Sequence, residues 1–229
     1  MALATVTSGP PRRIDAVSDA REAVLARVRA ALGPAIQVPE VPRGYREAGA
    51  LGAGGDPTTV DLFCKRVADY RATVKRVSSD ELPRALMAAC EQRQARRIGV
   101  PAEAQRWTFE GIELVRDDPP LSPRQLDELD GVLTGCALAI AETGTIVLDG
   151  ASGSGRRALT LVPDYHLCVV RSVDIVPSVP DSVVALASVA AEGRPITLVS
   201  GPSATVDIEL VRVEGVHGPR TLDVFVIEP

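Results

Sequence analysis

The 229-residue chain is predicted to fold as an α/β protein, with an open, mostly parallel sheet flanked by helices and an antiparallel β segment inserted in it. Three observations carry this. Apolar residues make up 45% of the chain but aromatics only 3%, so the core is built from Val, Leu, Ile and Ala, as in strands covered on both faces. Helical and strand periods alternate in the first half. The middle turns β-rich, with short apolar runs separated by glycine and proline turns.

The elements follow in order. Residues 15–32 carry Val17, Val24, Val28 and Leu32 along one helical face, and Gly33-Pro34 ends the run. Residues 34–57 are rich in Gly and Pro, which marks a linker. The chain therefore divides into an N-terminal helical arm and linker, 1–55, and a body, 56–229. The arm is free to pack on the body or on another subunit of a homo-oligomer. Val60, Phe63, Cys64, Val67, Tyr70 and Val74 predict a second helix. Ser78-Ser-Asp-Glu81 is a capping box ahead of a third, 82–94. Strands are expected at 97–100 and 112–115, and Ser122-Pro123 opens a short helix. Further strands are expected at 135–140 and 145–148 about a Glu142-Thr-Gly144 corner, then at 158–162 and 167–170. Residues 181–191 read as a buried helix, 196–199 as a buried strand and 222–227 as the last strand.

Bulk properties exclude several classes. A net charge of −5 argues against a nucleic-acid binder, which carries a basic stripe. No apolar run approaches the roughly 20 residues of a membrane span. Met1–Arg13 lacks the apolar stretch of a signal peptide. Cys64, Cys90, Cys136 and Cys168 are scattered along the sequence, which fits reduced thiols in the cytosol and no cofactor cluster. Two histidines, His166 and His217, are too few for a multi-histidine metal site.

The strongest site candidate is the stretch after 196–199. Gly201 and Pro202 force a turn, and Ser203 or Thr205 is placed to cap a helix with Val206, Leu210 and Val213 on one face. Strand, glycine turn and helix start together form a place for a small carboxylate or phosphate-bearing anion, with Ser200, Gly201, Ser203 and Thr205 as ligand-binding residues. Asp207 is explained by the helix dipole or by orienting His217. His217, between glycines before the last strand, is suited to proton transfer or anion binding. Glu142-Thr143-Gly144 is the second candidate, either a hairpin corner or a strand-end carboxylate for proton transfer. Gly150–Arg157 is glycine-rich but lacks the spacing of a phosphate loop; it reads as a mobile loop from which Arg156 or Arg157 can close on a carboxylate.

Three segments together resemble the lactate-utilization protein C family, also called the LUD domain. They are Thr134-Gly-Cys-Ala-Leu-Ala-Ile-Ala-Glu-Thr-Gly-Thr145, Leu159-Thr-Leu-Val-Pro-Asp-Tyr-His166, and Ser200-Gly-Pro-Ser-Ala-Thr-Val-Asp-Ile-Glu209 with Gly215-Val-His-Gly-Pro219. The resemblance covers roughly residue 56 to the C-terminus. It implies a fold shared with glucosamine-phosphate deaminase, ribose-phosphate isomerase and CoA transferases (the NagB/RpiA/CoA transferase-like fold). It implies a part in oxidising L-lactate to pyruvate beside iron–sulfur partner proteins. Two other functions stay open: a non-catalytic assembly module, and a CoA-transferase-like or sugar-phosphate isomerase-like enzyme, the former with Glu142 as nucleophile.

Overall fold

The computed structural model describes residues 16–33, 40–104, 109–151, 153–205, 213–214 and 217–228. The chain falls into two compact units, 1–45 and 46–229. In the first, helix α1 spans Ala16–Leu32, and Val24, Val28 and Leu32 are exposed along it.

The second unit is built on a six-stranded sheet whose strands all run parallel. In chain order they are β1 (Thr73–Ser78), β2 (Arg97–Val100), β3 (Glu113–Arg116), β4 (Gly131–Thr134), β7 (Tyr165–Arg171) and β12 (Thr221–Glu228). Their spatial order is β1-β12-β7-β4-β2-β3. The central strands β4, β7 and β12 are near-continuous apolar runs, as burial on both faces requires. A second, mixed sheet joins β5 (Leu138–Ile140), β6 (Thr145–Leu148), β8 (Ile175–Val176) and β9 (Thr197–Val199) in the order β8-β5-β6-β9. The expected α/β class with an inserted antiparallel segment is what the chain adopts.

The two faces of the parallel sheet are covered differently. Helix α3 (Leu82–Gln92) lays Leu82, Leu86, Ala89 and Cys90 on Ile98, Leu133, Leu167 and Phe225. The opposite face receives both helix α2 (Pro57–Asp69), through Val60, Phe63 and Val67, and the mixed sheet, through Ala139, Ala141 and Ile146. Phe63 and Phe225 are fully buried. Each contributes about 1.5–3 kcal/mol of transfer free energy. Helices α5 (Val179–Ala185) and α6 (Ala187–Ala191) close the outer face of the mixed sheet with Leu186 and Val189. Residues 46–56 are tied to this unit: the Gly49 N–H donates to Asp181 Oδ2 (2.9 Å) and Thr59 Oγ1 to the Gly52 carbonyl (2.6 Å).

Local signals explain most boundaries. Asp56 caps α2 by accepting from the N–H groups of Thr58 and Thr59. Ser78 and Glu81 make the reciprocal bonds expected of them ahead of α3. Ser122 and Gln125 form a second capping box on helix α4 (Pro123–Asp127).

Six expectations are corrected. Helix α2 ends at Asp69, and Val74 lies in β1, an edge strand too polar to read as one. Gly131–Thr134 is the strand β4, while Gly135–Ala137 turns the chain into β5. Residues 158–162 form no strand: the N–H groups of Leu161 and Val162 both return to the Ala158 carbonyl, in helical-turn fashion, around the buried Leu159. A five-residue run that is apolar except for Thr160 does not distinguish these outcomes. The helix expected over 181–191 breaks at Leu186 and exposes Val183 and Val184, and Leu198 of β9 is likewise exposed. Finally, Ala204–Thr205 and Val213, expected at the start and on the face of a helix, lie in strands: β10 (Ala204–Thr205) pairs antiparallel with β11 (Val213–Glu214), and the rest of the expected helix, 206–212, lies outside the described residues. The turn at Gly201, with φ +84°, thus feeds a ladder.

Candidate functional site: a cationic pocket beside β9

Strand β9 is the edge of the mixed sheet. Thr197–Val199 also line a cavity of about 180 Å³. Arg157, Thr160, His166, His217 and the turn Ser200–Ser203 complete its walls. A drug-sized cleft measures about 300–1,000 Å³, so this one suits a ligand of a few heavy atoms.

Arg157 supplies the charge. The glycine-rich loop before it is a built turn: Asp149 Oδ1 accepts from Ala151 N–H and Ser154 Oγ, and Gly135 N–H donates to the Gly153 carbonyl (2.8 Å). The half-buried Arg157 guanidinium donates to the Thr160 carbonyl (3.1 Å), to Thr160 Oγ1 (3.2 Å) and to the His217 carbonyl (3.3 Å). It meets no carboxylate among the described residues. Burial lowers its pKa, but a guanidinium stays charged at neutral pH. A partly desolvated cation with no carboxylate partner among the described residues favours an anion beside it.

His166 is the second residue of β7, flanked in register by Val132 and Leu222. It is only 2% exposed. Its Nε2 lies 2.8 Å from Thr134 Oγ1, and Nδ1 has no partner among the described residues. Burial, then the nearby Arg157, push its pKa down to about 4, so the imidazole is neutral at pH 7. The pocket therefore carries its positive charge on Arg157 alone of these two.

The turn is held by reciprocal clamps. Ser203 N–H donates to the Pro219 carbonyl (2.8 Å), and His217 N–H donates to Ser203 Oγ (3.0 Å). A Cβ on Gly201 would stand 2.6 Å from Tyr70 Cβ, so both the positive φ and the close approach require glycine. Ser200 Oγ lies 2.7 Å from Thr145 Oγ1, which lies 2.7 Å from Thr143 Oγ1.

Of the residues expected at the site, Ser200, Gly201, Ser203 and His217 come together here. The side chain of Thr205 and the whole of Asp207 lie outside the described residues. Thr143 reaches the site only through the hydroxyl chain. Glu142 is not at the pocket: its carboxylate pairs with Arg46 at 2.6 Å, which holds its pKa below the usual carboxylate range, and its N–H donates to the Pro177 carbonyl. Gly144, with φ +60°, serves the corner by packing on the backbone of Arg66 and Val67. Arg156 also points elsewhere. It makes a bidentate pair with the buried Asp117 (2.5 and 2.8 Å). Adjacent arginines thus face different ways: of the two that the sequence offered, Arg157 lines the pocket, and His166, which the sequence did not single out, lines it too.

A larger crevice, about 710 Å³, lies at the C-terminal ends of the parallel strands, where open α/β sheets hold ligands. Its arginine, Arg171, is already neutralised by Asp174 (2.5 and 2.7 Å). Among the described residues no group of three His, Cys, Asp or Glu side chains is arranged to hold a metal, and no helix is long and apolar enough to cross a membrane.

An open parallel sheet with a second, mixed sheet beside it defines a protein of the α/β class. Residues 60–227 match the LUD domain, and the chain belongs to the LUD domain family. It is 54% identical over 166 residues to lactate utilization protein C of Deinococcus radiodurans, covering 72% of this chain and 77% of that one. It is 28% identical to lactate utilization protein C of Halalkalibacterium halodurans, over 74% of this chain and 79% of that one. The crystal structure of a DUF162 family protein from Deinococcus radiodurans superposes with a TM-score of 0.66 at 46% identity, covering 75% of this chain and 97% of that one.

Proposed function

We propose that this chain is a cytosolic component of L-lactate utilization, acting beside iron–sulfur partner proteins in the oxidation of L-lactate to pyruvate. In this reading it holds a small carboxylate or phosphate-bearing anion on Arg157, between His166, His217 and the Ser200–Ser203 turn. The names of its relatives support the pathway. The anion reading rests on one observation: a half-buried guanidinium with no carboxylate partner among the described residues, opening on a pocket with a neutral histidine. His217, exposed at the pocket, is the group for any proton transfer. An acyl-transfer role for Glu142 is disfavoured, because Arg46 already neutralises its carboxylate.

Isothermal titration of the full chain with lactate, pyruvate and inorganic phosphate tests this. Arg157→Met removes a charge-assisted contact worth about 1.5–3 kcal/mol, so affinity falls roughly 10- to 150-fold. Unchanged affinity in a folded Arg157→Met protein would refute the site. Pull-down of an iron–sulfur protein from the native host tests the partner reading.

A further inference from the structure

Beside the cationic pocket runs a groove of about 440 Å³ with different chemistry. Tyr70, Val179, Val183, Leu186 and Ile196 line it, and among the described residues no Lys, Arg, Asp or Glu does. Val183 is 63% exposed and Leu198 62%, so apolar surface stands open to water here. Among the described residues, the only polar side chains on its walls besides Ser182 and Tyr70 are the linked hydroxyls of Thr143, Thr145 and Ser200. Leu198 and Ser200 line both cavities. One edge strand therefore separates a charged cavity from an uncharged one.

We infer that the ligand is a carboxylate with an apolar tail of about three to five carbons, its head on Arg157 and its tail over Ser200 into the groove. This rests on the anion reading above. The charge pattern carries it. A dianionic or nucleotide ligand would need a second cation along the groove, and the described residues supply none there. A three-carbon acid is satisfied by the cationic pocket alone and leaves the apolar walls wet. An amphipathic acid pairs the one charge and covers the apolar walls together. Ser200 stands at the junction, where it meets the atoms next to the carboxylate, so a hydroxyl at the second carbon is hydrogen-bonded rather than excluded.

Isothermal titration of the full chain at pH 7 with lactate, hexanoate and 2-hydroxyhexanoate tests this. Each buried methylene tightens binding about fourfold, so 2-hydroxyhexanoate binds roughly 60-fold tighter than lactate. Tighter binding of 2-hydroxyhexanoate than of hexanoate supports the contact at Ser200, and the reverse order removes that contact and with it the proposed path over Ser200. Val183→Gln and Ile196→Gln, neither at the cationic pocket, abolish the chain-length dependence and leave lactate affinity unchanged. If lactate binds and longer acids bind no tighter, this inference falls and the anion site stands. If no acid binds, the anion reading falls and takes this one with it. If Val183→Gln turns a dimer into a monomer by sedimentation without altering affinity for the six-carbon acids, the groove is a self-association face and the inference is overturned.

Discussion

His166 makes stability depend on pH in a way that one substitution can isolate. Its pKa in the folded chain is about 4, against 6.5 for a free imidazole, because burial and Arg157 both oppose the imidazolium. The unfolded chain therefore binds more protons than the folded one between these two values. Stability from this residue is fully present above pH 6.5 and is lost as pH falls toward 4. The loss between pH 7 and pH 5 is about 2 kcal/mol for this single group. Thermal melts of the wild type and of His166→Gln from pH 7.5 to 4.5 measure it as the difference between two curves. Carboxylates such as Asp149 and Asp164, whose pKa values lie low, contribute equally to both. For a body of this size 2 kcal/mol is about 4–8 °C, so the wild-type melting temperature should fall that much further than the variant's. Parallel curves would refute the claim that the buried imidazole is neutral, and with it the electrostatic account of the pocket.

Three further outcomes are expected. Arg156→Met strands the buried Asp117 carboxylate, which among the described residues retains only the Leu121 N–H, and should cost about 2–4 kcal/mol in urea titration while leaving anion affinity within twofold. A large loss of affinity there would reverse the roles assigned to the two arginines. Gly144→Ala places a Cβ 2.7 Å from the Arg66 backbone at a φ of +60°; strain and overlap together should cost about 2–4 kcal/mol, and a melting temperature within 2 °C of wild type would show that the corner relaxes freely. Tyr165→Phe removes the 2.7 Å bond to Asp223 Oδ2 and leaves that buried carboxylate with only Arg93 Nη2, 3.7 Å from its already unbonded Oδ1. The expected cost is about 1–3 kcal/mol by denaturant titration, and a change below 0.5 kcal/mol would mean that Arg93 closes on it instead.

Much of the frame was legible in the chain itself. Capping boxes at Ser78 and Ser122, the apolar run 97–100 and the glycine corner at 144 are local devices whose partners lie within a few residues, so their consequences follow without tertiary information. Turn chemistry placed Ser200–Ser203, and glycine punctuation before the last strand placed His217, on the candidate site, and the structure brings these residues to one pocket. What failed was whatever depends on a distant partner. Residues 158–162 are apolar enough for a strand but turn back around Leu159, and Ala204–Thr205 finds a ladder partner at Val213–Glu214.

The sequence by itself determined the class of fold, the arginine pair at 156–157 and the serine-glycine turn, because period, composition and turn chemistry are written in neighbouring residues. Tertiary structure alone decided which arginine faces the pocket, since that depends on Asp117 standing where it neutralises the other. It also decided that His166 is neutral and that Glu142 is bound by Arg46 instead of joining His217. Charge and protonation at a site are set by what lies within a few ångströms in space, and those neighbours come from segments as many as 96 residues apart in the chain.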